Sequence, residues 1–155
     1  MAEQQQNATP FEIKKVCLKD ASLESPQSPL VFTRDYQPKI NVEFNNESSE
    51  ASENVHEVVV RVTVTCTQED KTVFICEVKQ AGVFELHMPA EDKEGCLAAY
   101  CPSILFPYAS QQVCQMIVAA GFPPVVLPPI NFEALYAQRK QQEAAAAQAQ
   151  APANS

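Results

Sequence analysis

Along residues 56–66 polar and apolar side chains alternate without a break. Val58, Val60, Val62, Val64 and Cys66 fall on one face, and Glu57, Arg61, Thr63 and Thr65 on the other. A period of two is the signature of a strand with one buried face. Three more segments share it. In residues 11–20, Phe11 and Ile13 start the pattern, Lys14-Lys15 breaks its phase, and Val16 and Leu18 resume it, which predicts a bulge. In residues 36–44, Tyr36, Pro38, Ile40, Val42 and Phe44 oppose Gln37, Lys39, Asn41 and Glu43, with Pro38 placing the segment at an edge or a strand start. In residues 73–86, Phe74, Cys76, Val78, Phe84 and Leu86 share a face. Gln68-Glu69-Asp70-Lys71 reads as the hairpin turn between the last two strands. The opposite face of 73–86 carries Val73, Ile75 and Val83 among charges. Such a row predicts that the outer face is covered too, by a second subunit or a partner.

Helical spacing takes over after residue 100. Pro107 suits a first helical position and Gly121 a C-terminal stop, with Ala109, Val113, Met116, Ile117 and Ala120 recurring between them. A second helix opens at Asn131 as N-cap, with Glu133 in its first turn and Phe132, Leu135 and Tyr136 on its apolar side. Four strands followed by two helices predict an α+β fold, a four-stranded antiparallel sheet with two C-terminal helices packed on one side. Residues 1–9 are too polar to bury, and the Ala/Gln-rich stretch 143–155 has nothing to pack. Both are expected to be disordered, leaving a single domain over 10–142.

Two apolar runs are punctuated by proline, Tyr100–Ala109 and Phe122–Ile130. The four prolines of the second forbid a helix or a central strand, because proline has no N–H to donate and a fixed φ. An extended loop this apolar must either close over the body as a lid or line a groove.

Charge narrows the choice of partner. The 155 residues carry a formal net charge of -8. That excludes nucleic-acid binding, which needs Lys and Arg against phosphates. Glu43, Glu47, Glu50, Glu53 and Glu57 lie in a stretch without Lys or Arg, which reads as a solvated loop. The polar start carries no signal peptide, and no apolar run spans a bilayer, so no membrane insertion and a cytoplasmic location are expected. In that compartment the six cysteines are reduced thiols, and without a C-x-x-C pair no metal site is expected.

Catalytic chemistry is not visible. His56 and His87 sit at strand ends, far in sequence from any cysteine pattern that would use them. Three glycines cannot build a phosphate loop, and no G-x-S-x-G is present. Glu91-Asp92 reads as a solvated turn rather than an acid/base pair. No catalytic residue, cofactor or metal is assigned, and the chain is expected not to be an enzyme.

The segment Tyr100-Cys101-Pro102-x-x-Leu105-Phe106-Pro107-Tyr108-Ala109 resembles the signature of the bacterial protein-export chaperone SecB. The resemblance continues through Glu57-Val58-Val59, Arg61-Val62-Thr63-Val64-Thr65, Phe74-x-Cys76-Glu77-Val78 and Pro129-x-Asn131-Phe132-x-Ala134-Leu135, covering roughly residues 11–137 in order. It implies an ATP-independent cytosolic holdase. Such a chaperone keeps precursors of exported proteins unfolded and passes them to the SecA ATPase of the Sec translocon. It implies a homotetramer built as a dimer of dimers.

Carried over residue by residue, the resemblance implies a SecA-binding patch at Asp20, Glu24, Ile75 and Glu77. This patch would meet the basic, zinc-bearing C-terminal segment of SecA. A client groove would be lined by Tyr36, Phe122, Val125, Leu127, Ile130, Phe132 and Tyr136. Cys76 and Val78 match positions that hold the tetramer together. From the residues alone, the alternative is a non-catalytic adaptor that binds one folded partner through the outer sheet face.

Overall fold

In a computed structural model, which describes residues 9–150, four long strands form one antiparallel sheet: β1 (Phe11–Glu24), β2 (Lys39–Ser52), β3 (Val55–Gln68) and β4 (Lys71–Leu86). Their spatial order is β1-β4-β3-β2, so the chain crosses from one sheet edge to the other between its first two strands. The anticipated break falls at Lys14, which has no partner between the pairs Ile13–Phe84 and Lys15–Val83, and a second irregularity lies at Lys19. β2 is an edge strand beginning just after Pro38, where the missing N–H costs no ladder bond. Glu69 and Asp70 close the β3–β4 hairpin at φ 54° and 60°, the left-handed pair that matches strand twist.

The acidic segment 43–57 is not a loop. Glu43, Glu47 and Glu50 belong to β2, and Glu53 and Asn54 make its turn into β3. Edge position explains the difference: with one ladder open and one face in water, a strand tolerates a polar composition that would not survive at the sheet centre.

The inner face is the core. Val58, Val60, Val62, Val64, Cys66, Phe74, Cys76, Val78, Phe84 and Leu86 are fully buried on it. Val73, expected on the outer face, is buried as well. The register shifts between Cys66–Phe74 and Thr67–Thr72, leaving Val73 as the extra residue of a bulge that re-aims it. Ile75 stays on the outer face, 39% exposed.

Helical structure starts earlier than the proline pattern implies. Helix α1 spans Ala90–Gly95, a single π turn follows over Cys96–Tyr100, and α2 runs Cys101–Ala119. Pro102 occupies the first turn of α2, and Pro107 lies inside it with its ring exposed. The exposed side tolerates the lost bond because water satisfies the freed carbonyl. Glu91 and Asp92, expected in a solvated turn, occupy the first turn of α1, where negative charge is favoured.

Leu105, Ala109, Val113 and Ile117 of α2 lie fully buried on the sheet. Gly82 of β4 allows that approach. A Cβ there would stand 2.9 Å from Leu105 Cδ2 and 2.7 Å from Phe84 Cε2. Gly121 ends α2 at φ 100°, the left-handed stop the sequence foretells. Residues 123–131 adopt no regular secondary structure, and Asn131 Oδ1 accepts from the Ala134 N–H to cap α3 (Phe132–Gln150). Helix α3 therefore continues through the Ala/Gln stretch to Gln150, with exposed side chains over 143–150. Alanine and glutamine favour the helix without any packing. The rest of the expected tail, and most of the expected N-terminal segment, lie outside the described residues.

Candidate binding surfaces

Each face of the sheet presents a distinct surface. The inner one begins on β2. Ile40, Val42 and Phe44 point toward the core side yet remain 40%, 38% and 38% exposed, because α2 covers β3 and β4 and leaves β2 bare. The crossover 25–38 borders them. Gln27 Nε2 donates to the Thr72 carbonyl at 2.8 Å, and Gln68 Nε2 to the Asp35 carbonyl at 2.8 Å, so two amide side chains pin the crossover to the β3–β4 hairpin. This holds Val31 in the core, Phe32 beside the α2 end and Tyr36 on the rim.

Aromatic rings then meet in a chain. Phe122 lies 5.0 Å from Phe32, 6.2 Å from Tyr36 and 4.8 Å from Phe74, ring centre to ring centre. The Tyr36 hydroxyl reaches Cys66 Sγ at 3.7 Å, and burial pushes both groups' pKa values up. Further along β2, Phe132 packs edge-on against Phe44 at 5.9 Å and Phe106 at 5.8 Å.

The expected groove set is thus not one continuous lining. Tyr36 and Phe122 form one cluster. Phe132 and Tyr136 line a second hollow of about 210 Å³ together with Phe44 and Leu135. Leu127 faces a third cleft of about 600 Å³ between the proline loop and α2, bounded by Phe106, Pro107, Ser110, Cys114 and Val126. Phe122, Leu127 and Phe132 are buried at 4%, 7% and 4% exposure, while Val125 and Ile130 are half-buried against the core. The loop is closed down, and Val126, 81% exposed, is its free apolar side chain.

Sequence reasoning missed Phe32, Ile40, Val42, Phe44 and Val126. The alternation of β2 already marked three of them. What it lacked was the knowledge that α2 stops short of that strand and that α3 reaches it only near Phe44.

The outer surface gathers the four expected partner residues. Glu24 sits directly opposite Ile75, Ser22 opposite Glu77, and Asp20 opposite Lys79, all on the face away from α2. Among the described residues Asp20 and Glu24 make no ion pair. Glu77 does: Arg61 Nη2 donates to its Oε2 at 3.1 Å, and Thr63 Oγ1 donates to the same oxygen at 3.4 Å. The patch has one apolar centre, Ile75, ringed by carboxylates of which one is already engaged.

Cys76 and Val78, expected at a subunit interface, are fully buried inside this chain beneath α2. A strand position alternates by single residues, and these two fall on the core side while Glu77 between them faces out. Within this single chain they present no surface.

Burial pushes the Cys76 thiol up to about 11 and raises those of Cys66, Cys96 and Cys101 as well, so these sulfurs stay protonated at neutral pH. His87 Nε2 is taken by Glu85 at 3.1 Å, and the buried His56 Nε2 has no hydrogen-bond partner among the described residues. No cluster of three metal-ligating side chains occurs among the described residues, and no helix there is long and apolar enough to cross a membrane.

Comparison with known proteins matches residues 3–143 to the family described as preprotein translocase subunit SecB. The protein-export protein SecB of Methylobacillus flagellatus is 47% identical over 146 residues, covering 94% of this chain and 92% of the relative. That of Chromobacterium violaceum is 45% identical over 150 residues, covering 96% and 100%. Among solved structures, a Mycobacterium tuberculosis SecB-like chaperone in complex with a ChAD peptide from the HigA1 antitoxin superposes with a TM-score of 0.65. It is 15% identical, covers 78% of this chain and 91% of its own, and attests the shared fold.

Proposed function

Since this chain belongs to the SecB family and is a protein-export chaperone, we propose that it works as an ATP-independent holdase with two separate binding faces. Clients are unfolded precursors of exported proteins. They bind on the inner side, along the bare strip Ile40, Val42 and Phe44 and the aromatic groups around Tyr36, Phe122, Phe132 and Tyr136. The observation that carries this reading is that exposed strip. An edge strand with three large apolar side chains beside a closable apolar loop suits an extended, apolar chain of no fixed sequence.

The proline loop accounts for both lid and lining. With Phe122 and Leu127 down it covers the core. Rotating outward, it would widen the groove for Val125 and Ile130 to meet a client. Its prolines keep it extended in either position, which limits the entropy lost when a client orders it.

The outer patch of Asp20, Glu24, Ile75 and Glu77 receives the basic, zinc-bearing C-terminal segment of the SecA ATPase, the zinc being SecA's own. Carboxylates steer the basic segment and Ile75 supplies apolar contact. Release then runs by transfer to SecA, without catalysis in this chain. The assembly is a cytoplasmic homotetramer, a dimer of dimers. Several such grooves on one client sum weak contacts through effective concentration.

The experiment is refolding of a denatured precursor in the presence of the purified protein and no nucleotide. A marked delay in refolding at tetramer excess is the expected result. Unchanged refolding kinetics would sink the reading.

A further inference from the structure

The π turn between α1 and α2 pairs two cysteines. In it the Cys101 N–H donates to the Cys96 carbonyl, a five-residue step that a regular α-helix lacks. In an α-helix, residues five apart diverge by more than a quarter turn. The wider π turn stacks them, and Cys96 Sγ and Cys101 Sγ stand 3.9 Å apart, each the other's polar partner. None of the other cysteines has a thiol partner among the described residues.

Access differs between the two. Cys101 is fully buried in the core cluster, whereas Cys96 is only partly buried against it. The turn also seats α3: Lys140 of α3 pairs with Glu94, and the Tyr136 ring approaches Gly95, both immediately before Cys96.

We propose that Cys96 and Cys101 form an oxidisable dithiol, a modification site at which a small disulfide installs a reversible intrachain bond across the π turn. The more accessible Cys96, as thiolate, attacks the reagent's S–S bond and releases one reagent thiol, leaving a mixed disulfide on Cys96. Cys101 gives up its proton and attacks the Cys96 sulfur, and the second reagent thiol departs. The net change is one protein dithiol and one small disulfide converted to one protein disulfide and two small thiols. The sulfurs must close from 3.9 Å to the roughly 2.05 Å of the bond, a movement within reach of side-chain rotation. Burial holds both thiols protonated at neutral pH, so the reaction is slow there and quickens with rising pH. The product staples the turn in its π form and fixes the seat of α3.

The test treats the reduced full-length protein with oxidised glutathione and maps thiols by mass spectrometry over time. Chymotryptic cleavage after Tyr100 separates the two cysteines unless a disulfide joins them. The expected result is that Cys96 and Cys101 lose their thiols together, with the loss of two hydrogen masses, and that reductant restores both. Hydrogen exchange over 96–101 should slow in the oxidised form. In Cys96→Ser the Cys101 thiol should persist. A lasting glutathione adduct on Cys96, a cross-link through Cys114 or another cysteine, or oxidation of Cys101 in the Cys96→Ser protein would each overturn the proposal.

Discussion

Arg61 holds Glu77 across the outer face of the sheet, its Nη2 3.1 Å from the carboxylate Oε2. The contact is diagonal between β3 and β4, since Arg61 lies opposite Lys79 and Glu77 opposite Thr63. Any basic segment docking on this face would have to compete with, or add to, a cation already in place.

Glu77→Lys separates the two faces. It puts a second cation beside Arg61 and should weaken SecA affinity by about tenfold or more, the order of an interface charge reversal. Client binding should be largely unchanged, and stability should shift by no more than about 1 kcal/mol, as for an exposed pair. Titration calorimetry with SecA and with an unfolded client reads both. Equal loss of both affinities would refute the separation.

Val42→Asp probes the bare strip of β2. Val42 is 38% exposed in the free protein and lies opposite buried Val64, so the change should cost about 1 kcal/mol of stability, well short of unfolding the sheet. A carboxylate on the groove floor removes an apolar contact of about 1.5–3 kcal/mol once buried, enough to cut client affinity about tenfold or more. Competition binding with a labelled unfolded precursor measures it, and an unchanged affinity would remove the strip from the site.

Phe122→Ala acts in the opposite way. The ring is 4% exposed and touches Phe32, Tyr36 and Phe74, so truncation should cost about 3–5 kcal/mol by denaturant unfolding. The proline loop should also open more readily, seen as faster hydrogen exchange over residues 125–135. A small stability change would mean the loop is not held by that ring.

Alkaline pH should loosen the core. The folded state holds the Cys76 proton up to about 11 against an ordinary value of 9.0, while the unfolded chain releases it from 9.0 upward. Unfolding then releases a proton, so stability is intact below pH 9 and declines between 9 and 11. Cys66 and Cys101 act in the same sense. Urea unfolding across that range checks it, and Cys76→Ala should flatten the slope while lowering the baseline.

Much of this architecture is written in local patterns. The period-two face of 56–66, the lysine break in β1, the Glu69-Asp70 turn and the Gly121 stop all appear where the side chains place them, because each depends on a few adjacent residues. What escaped depends on distant ones. Val73 alternates correctly in isolation, but a register shift against β3 turns it inward. Pro107 looks like a helix start until Pro102 and the π turn are seen to begin the helix earlier. The four residues of the expected outer patch share one face of two paired strands, but it was the resemblance and not the alternation that singled them out. The groove set was less legible: Tyr36 packs on Phe122, while Leu127 and Phe132 line two different hollows, and only the path of the crossover and loop decides which.

Helix α3 is fastened at one end. Phe132 is sunk in the core and Lys140 reaches Glu94, while everything beyond Glu143 stands clear of the body. Nineteen residues make a rod roughly 28 Å long at 1.5 Å per residue. A rocking of about 10° at Phe132 would carry its far end through about 5 Å by that length. Movement too slight to disturb the core at the pivot becomes, at the tip, a displacement as wide as a strand spacing. A push on the proline loop beside Phe132 would thereby be read out at a distant piece of surface, and it would have to strain the Glu94–Lys140 pair on the way.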